Sequence, residues 1–170
     1  MAEIVVYGDP VLEKVAEPVT VFDEELARFV ADMHQTMIKA HGVGLAAPQV
    51  GVSKQVCIID LSVGENPDDL FVLINPEILE VDGSQKGEEG CLSFPDIITV
   101  VERPNSVKVR AQNIAGTTVE LEAEGFLARA FLHEIDHLNG VLFTERVSNL
   151  KRNMIKKKVS KRVKAGTWNS

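Results

Sequence analysis

Residues 133–137 read His-Glu-Ile-Asp-His. In a helix, positions i and i+4 share one face, so His133 and His137 can present both imidazoles to one metal ion. Glu134 then stands beside the metal's open position, where a carboxylate can take a proton from water. The plainer alternative is two exposed helix histidines. With 4 histidines in the whole chain, this spacing around a glutamate favours the metal reading. A catalytic site of this type needs a third protein ligand. No His follows His137, and the only later acid is Glu145. The frame HExxHxxGxxH is met at Gly140 but broken at Phe143. The third ligand is therefore expected upstream.

The upstream candidates are Cys57, Cys91, His34, His41 and several acids. Cys57, in Val-Cys-Ile-Ile, reads as a small core residue. His34 reads as a satisfied surface histidine of the first helix. His41 adjoins a Gly-rich stretch and reads as solvated or as support for a ligand. Cys91 differs, because Gly87-Glu88-Glu89-Gly90-Cys91-Leu92-Ser93-Phe94-Pro95 is polar, Gly-containing and placed between strands. A buried loop cysteine is the plainer reading there. Two His and one thiolate, with water in the fourth place, would make a tetrahedral catalytic site. Residues 42–51, Gly-Val-Gly-Leu-Ala-Ala-Pro-Gln-Val-Gly, also need a reason. Paired glycines let a backbone approach a ligand closely. No Lys-Ser/Thr follows, so this is not a phosphate loop, and a structural bend is the plainer alternative. Gln49, uncharged and beside Pro48, suits an oriented hydrogen-bond donor.

Several elements must position these groups. Residues 23–40 predict a helix, with Leu26, Phe29, Val30, Met33 and Met37 at helical spacing and acids in the first turn. The segment 42–51 holds too many glycines, and a proline, for a regular element. Strands are predicted over 55–61, 70–75, 78–81, 97–102, 106–111 and 117–122. Val107, Val109 and Ala111 alternate with Lys108 and Arg110, as half-buried antiparallel strands do. Asn75-Pro76, Asp82-Gly83 and Ala115-Gly116 read as turns. A second helix is expected over about 126–138, closed by Asn139-Gly140, and a basic third helix over 150–163. The order predicts an α+β domain in which antiparallel strands pack around a central HExxH helix, with an N-terminal and a C-terminal helix.

The chain has 170 residues, enough for one domain. Residues 1–150 read as a catalytic metallohydrolase part and 151–170 as a basic helix or tail of the same domain. All 25 acids lie at or before Glu145, and the last 20 residues hold 8 of the 18 Lys+Arg. The body is thus at net −15 and the tail at +8. That excludes nucleic-acid binding over the whole surface but allows an anionic partner at the tail. No apolar run suits a transmembrane helix, and no secretory leader is recognised at the start. Two cysteines form no disulfide framework. A cytoplasmic protein with free thiols is expected.

Three segments, in this order, resemble the bacterial peptide deformylase family: Gly42-Val43-Gly44-Leu45-Ala46-Ala47-Pro48-Gln49, Glu89-Gly90-Cys91-Leu92-Ser93 and His133-Glu134-Ile135-Asp136-His137. The likeness runs from the first helix through Phe143. It departs at Leu132, where the family commonly has Gln. The resemblance implies removal of the formyl group from the N-terminal formyl-methionine of new polypeptides. It implies metal ligation by Cys91, His133 and His137, and general acid/base work by Glu134. It implies oxyanion stabilisation by the Gln49 side chain and the Leu92 N–H. Gly44 and the backbone of Glu89 and Gly90 would pair with the extended substrate. Val43, Phe126, Arg129 and Ala130 would surround the methionine side chain. One divalent ion is implied, Fe²⁺, replaceable by Zn²⁺, Ni²⁺ or Co²⁺. The basic tail resembles the helix by which bacterial members touch the ribosome. The competing readings are a metallopeptidase and a non-catalytic, ribosome-associated metal-binding module. Glu134 separates the last of these, since a structural site has no use for a base beside an open position.

Overall fold

The computed structural model describes residues 2–168. Helix α1 (Glu24–Lys39) starts where Asp23 accepts the Leu26 N–H at 3.0 Å, with Glu24 and Glu25 in the first turn. Strands β1 (Gly44–Ala46), β2 (Val56–Asp60) and β3 (Leu70–Asp82) follow, then β4 (Gln85–Cys91), β5 (Phe94–Arg103), β6 (Ser106–Gln112) and β7 (Thr118–Glu124). Helix α2 (Gly125–Leu138) and helix α3 (Asn149–Lys164) complete the chain. Five strands form one antiparallel sheet in the order β1-β2-β3-β6-β7, and β4 pairs with β5 in a second.

Three local expectations need correction. Asn75-Pro76 is not a turn: β3 runs through it, with one register shift across it between Ile74 and Glu77 and another between Ile78 and Glu80. Pro76 lacks an N–H and tolerates the irregularity. Asn75 adopts φ 51°, and its amide spans to Val19 and Gln112 at 2.7–2.8 Å. The segment 42–51 is partly regular after all. It forms strand β1, paired with β2, followed by the 3₁₀ turn Ala47–Val50. Cys91 lies not in a loop but at the end of β4, whose glycines and acids hid its strand character.

Strand β2 is buried along its whole length, and its two faces serve different helices. Cys57 and Ile59 pack in one core with Val107, Val109, Phe131 and Ile135, hence against α2. Val56 and Ile58 pack in another with Val30, Met33 and Met37 of α1. Helices thus cover both faces of this strand. Residues 128–138 of α2 are all buried, including its charged and histidine side chains. Leu132 belongs to the first core, so the departure from the family's Gln fills an apolar position. A third core joins Leu12, Phe94, Phe143, Ile155, Val159 and Trp168, which brings α3 and the last described residue onto the domain.

Candidate metal centre

Helix α2 sets His133 and His137 on one face, with ring centroids 5.0 Å apart. The end of β4 brings Cys91 to them, 3.4 Å from His137 Nε2. The ligand atoms of Cys91, His133 and His137 all lie within 4.8 Å of one another. They are the one such group of three among the described residues. The other upstream candidates are not part of this ligand group. Cys57 is fully buried in the α2 core, His34 bonds Asp60 at 2.8 Å, and His41 sits in a left-handed turn at φ 59°.

The surroundings suit a cation. Glu89 accepts from His133 Nδ1 at 2.8 Å, which leaves Nε2 as the free nitrogen of that ring. Burial by itself would lower the His133 pKa, but hydrogen bonding to Cys91 and Glu89 and the charge of Glu134 outweigh it and raise it well above the usual value. Burial, with help from the neighbouring His133, pushes the His137 pKa well down, toward the neutral, ligating form. Glu134 Oε1 and His137 Nδ1 are buried without a hydrogen-bond partner. Unpartnered polar atoms of this kind are costly. Together with a thiol and two imidazoles they fit a catalytic site with three protein ligands and an open position. Burial also raises the Glu134 pKa to about 7, so its carboxyl can both take and give a proton near neutrality.

A set of salt bridges holds Glu89. Its carboxylate accepts from Arg103 Nε at 2.6 Å and Nη2 at 2.9 Å, and from Arg129 Nη1 at 2.6 Å. Arg103 also reaches Asp136 at 2.9 Å, and Arg146 pairs with the same carboxylate at 2.8 Å. Burial would raise the Glu89 pKa, but its bonds to His133 and Arg103 bring it down to about 2. Arg103 and Arg146 were not singled out from the sequence as site residues. A signal for Arg103 existed: it shares the inward phase of β5 with Ile97 and Val101, where a charge needs a partner. Nothing comparable marks Arg146.

The remaining residues gather in two adjoining cavities. A cavity of about 120 Å³ is lined by Val43, Glu89, Gly90, Phe126, Arg129 and Ala130, together with His133 and Glu134. The Glu89 side chain is committed to Arg103, Arg129 and His133 and is not free to hold a ligand. A groove of about 530 Å³ contains Gly44, Gln49, Cys91 and Leu92, and shares Val43, Gly90, His133 and Glu134 with the first. Ala40, Phe94, Asp96 and Ile98 also line it, and sequence reasoning did not place them there, whereas His41, which also lines it, was read as solvated or as support for a ligand. Gln49 is buried; its Oε1 accepts the Ala46 N–H at 3.0 Å, and its Nε2 points to Ser93 Oγ at 3.2 Å and Cys91 Sγ at 3.6 Å. A Cβ on Gly44 would meet Glu134 Oε2 at 2.5 Å, so this glycine is needed for close approach.

This geometry has close counterparts. The sequence model of the polypeptide deformylase family matches residues 1–153. The peptide deformylase of Acidobacterium capsulatum is 55% identical over 165 residues, covering 97% of each chain. That of Thermotoga maritima is 51% identical over 160 residues, covering 94% of each. The crystal structure of a Legionella pneumophila peptide deformylase superposes with a TM-score of 0.89 at 42% identity, over 97% of this chain and 98% of that one. The Synechococcus elongatus enzyme, solved in complex with actinonin, gives 0.88 at 44% identity, over 92% and 86%. Sequence and fold match over nearly the whole chain, and they agree on one kinship: the chain belongs to the polypeptide deformylase family.

Proposed function

We propose that Cys91, His133 and His137 hold one divalent metal ion, and that the chain uses it for its family's reaction, removal of the formyl group from the N-terminal formyl-methionine of new polypeptides. The convergence of those three ligand atoms beside the unpartnered Glu134 carries the reading. A divalent ion held there supplies Lewis acidity and lowers the pKa of a water to about 7. Fe²⁺ is our choice, with Zn²⁺, Ni²⁺ or Co²⁺ able to replace it.

The chain's own residues do the rest. Glu134 takes the proton of the attacking water and returns it to the departing amine. The Gln49 amide and the Leu92 N–H donate to the oxyanion as it develops, and losing one such donor typically costs about 2.7–4 kcal/mol. Gln49 is held for this by its bond to Ala46. The backbone of Gly44, Glu89 and Gly90 pairs with the extended peptide. The small cavity of Val43, Phe126, Arg129 and Ala130 takes the methionine side chain, with the α2 helix at the centre of the antiparallel strands. Asp136 supports the site through Arg103 and does not ligate.

The test is Glu134→Gln in metal-loaded protein. It should keep the metal and lose roughly 10²–10⁴-fold in turnover of a formyl-methionyl peptide. Near-normal turnover would overturn the mechanism. Loss of the metal as well would make Glu134 a ligand.

We further propose a cytoplasmic enzyme in which residues 1–150 form the catalytic part and 151–170 the basic helix of the same domain. No described helix is long and apolar enough to cross a membrane. The exposed lysines of α3, beside the exposed Leu150 and Met154, are proposed to dock on the ribosome surface.

A further inference from the structure

The end of the chain closes on the segment that lines the groove. Arg162, on α3, donates through Nη1 to the Pro95 carbonyl at 2.6 Å and lies 3.7 Å from the Asp96 carboxylate. Its Nη2 donates to the Thr167 carbonyl at 2.8 Å, and its cation sits over the Trp168 ring at 5.2 Å. Trp168 is itself anchored. It is buried, its indole N–H donates to the Tyr7 carbonyl at 2.8 Å, and its ring meets Phe94 edge-on at 6.1 Å. Phe94, Asp96 and Ile97 all line the groove beside the metal centre. Asp96 holds φ 63°, a left-handed conformation uncommon outside glycine but one that Asp adopts more readily than most residues. The family match covers residues 1–153, so Arg162, Thr167 and Trp168 lie outside it.

We propose that Arg162 is a positioning residue for the substrate groove. It fixes the rim formed by Pro95 and Asp96, and so governs how the enzyme binds the residues that follow the formylated methionine. This rests on the peptide-binding reading of the groove given above. Two features separate it from a role in turnover. Arg162 engages the chain from Pro95 onward, past Cys91 and Leu92. The turn after Cys91 has bonds of its own that Arg162 does not make, from Gln49 Nε2 to Ser93 Oγ at 3.2 Å and from the Tyr7 N–H to the Ser93 carbonyl at 2.8 Å. Loosening the rim should therefore weaken binding of the peptide beyond its first residues and spare the chemistry.

The test is steady-state kinetics on the full-length, metal-loaded chain, with formyl-Met-Ala and formyl-Met-Ala-Ser-Ala as substrates. Arg162→Met keeps the apolar stem and removes the donors. Its KM for the tetrapeptide should rise about five- to tenfold, with kcat and the dipeptide KM within about twofold of the parent. Arg162→Lys keeps the charge without the fork, so its rise should be smaller and again confined to the tetrapeptide. If Arg162→Met fails to fold, Arg162→Lys carries the same comparison, together with faster amide exchange at Asp96 and Ile97. Equal changes for both substrates, or none, would overturn the inference and leave a brace that matters only to stability. If the parent hydrolyses neither formyl peptide, the functional reading falls first and this inference with it.

Discussion

Gly44→Ala tests how tightly the proposed base is held. The added Cβ would lie 2.5 Å from Glu134 Oε2, 2.9 Å from Cδ and 3.0 Å from Cγ. Ordinary contact begins at 3.4 Å, so the carboxyl must give way by roughly 0.9 Å. Glu134 is only 5% exposed and cannot swing into solvent. Gly44 is not among the glycines of positive φ, so its backbone accepts alanine and the conflict is confined to the site. Overpacking of this kind costs about 1–3 kcal/mol, which a domain of this size withstands. Misplacing a catalytic group by about 1 Å can cost on the order of 10²-fold in rate. Gly44→Ala should thus fold, retain its metal, and lose about 100-fold in kcat on a formyl-methionyl peptide. Metal content, thermal unfolding and initial rates on the same preparation decide the matter. Turnover within about threefold of the parent, with metal bound, would refute the claim that Glu134 must stay where it is.

Other expectations follow from the same geometry. Cys91→Ser replaces a thiolate by a harder, weaker donor and should lower metal content and activity strongly, while Cys57→Ser keeps the metal, as elemental analysis of the two proteins would show. Glu89 is depressed to about 2, so its contribution is present above about pH 4.5 and is lost as pH falls toward 2. It amounts to on the order of 3 kcal/mol. In denaturant titrations, Glu89→Gln should be less stable at pH 7, with two arginines short of a partner, and should lose less than the parent between pH 5 and pH 3. Reversing the exposed Lys156, Lys157 and Lys158 should abolish low-salt co-sedimentation with ribosomes and leave formyl-peptide hydrolysis intact. Deleting residues 151–170 is the less selective variant, because Ile155, Val159 and Trp168 belong to the third core.

Local periodicity decided a good deal of this molecule. The i, i+4 spacing of His133 and His137 places both rings on one helical face whatever the helix packs against. The apolar positions Leu26, Val30, Met33 and Met37 marked the buried stripe of α1 in the same way. Alternation along residues 106–111 marked β6, and the apolar setting of Cys57 marked its burial. The resemblance to a family then selected Cys91 among ligands that spacing left open.

Tertiary structure decided what depends on distant partners. Cys91 stands 46 residues from His137, and no local pattern measures that gap. The strand carrying Cys91 was unreadable because Gly87, Glu88, Glu89 and Gly90 have poor strand propensity; pairing with β5 overrides it. Asn75-Pro76 reads as a turn locally, yet Val19 and Gln112 bind the Asn75 amide, and β3 continues past it with a shift of register. Glu89 looks like one more surface acid until Arg103, Arg129 and His133 converge on it from two other elements. A charge run such as that of α3 reads as solvated, but Arg162 finds the Pro95 carbonyl 67 residues upstream. Side-chain periods report which face of an element is buried. Which groups meet there is set by packing between elements, where the free energy comes from desolvated contacts and not from neighbours in the chain.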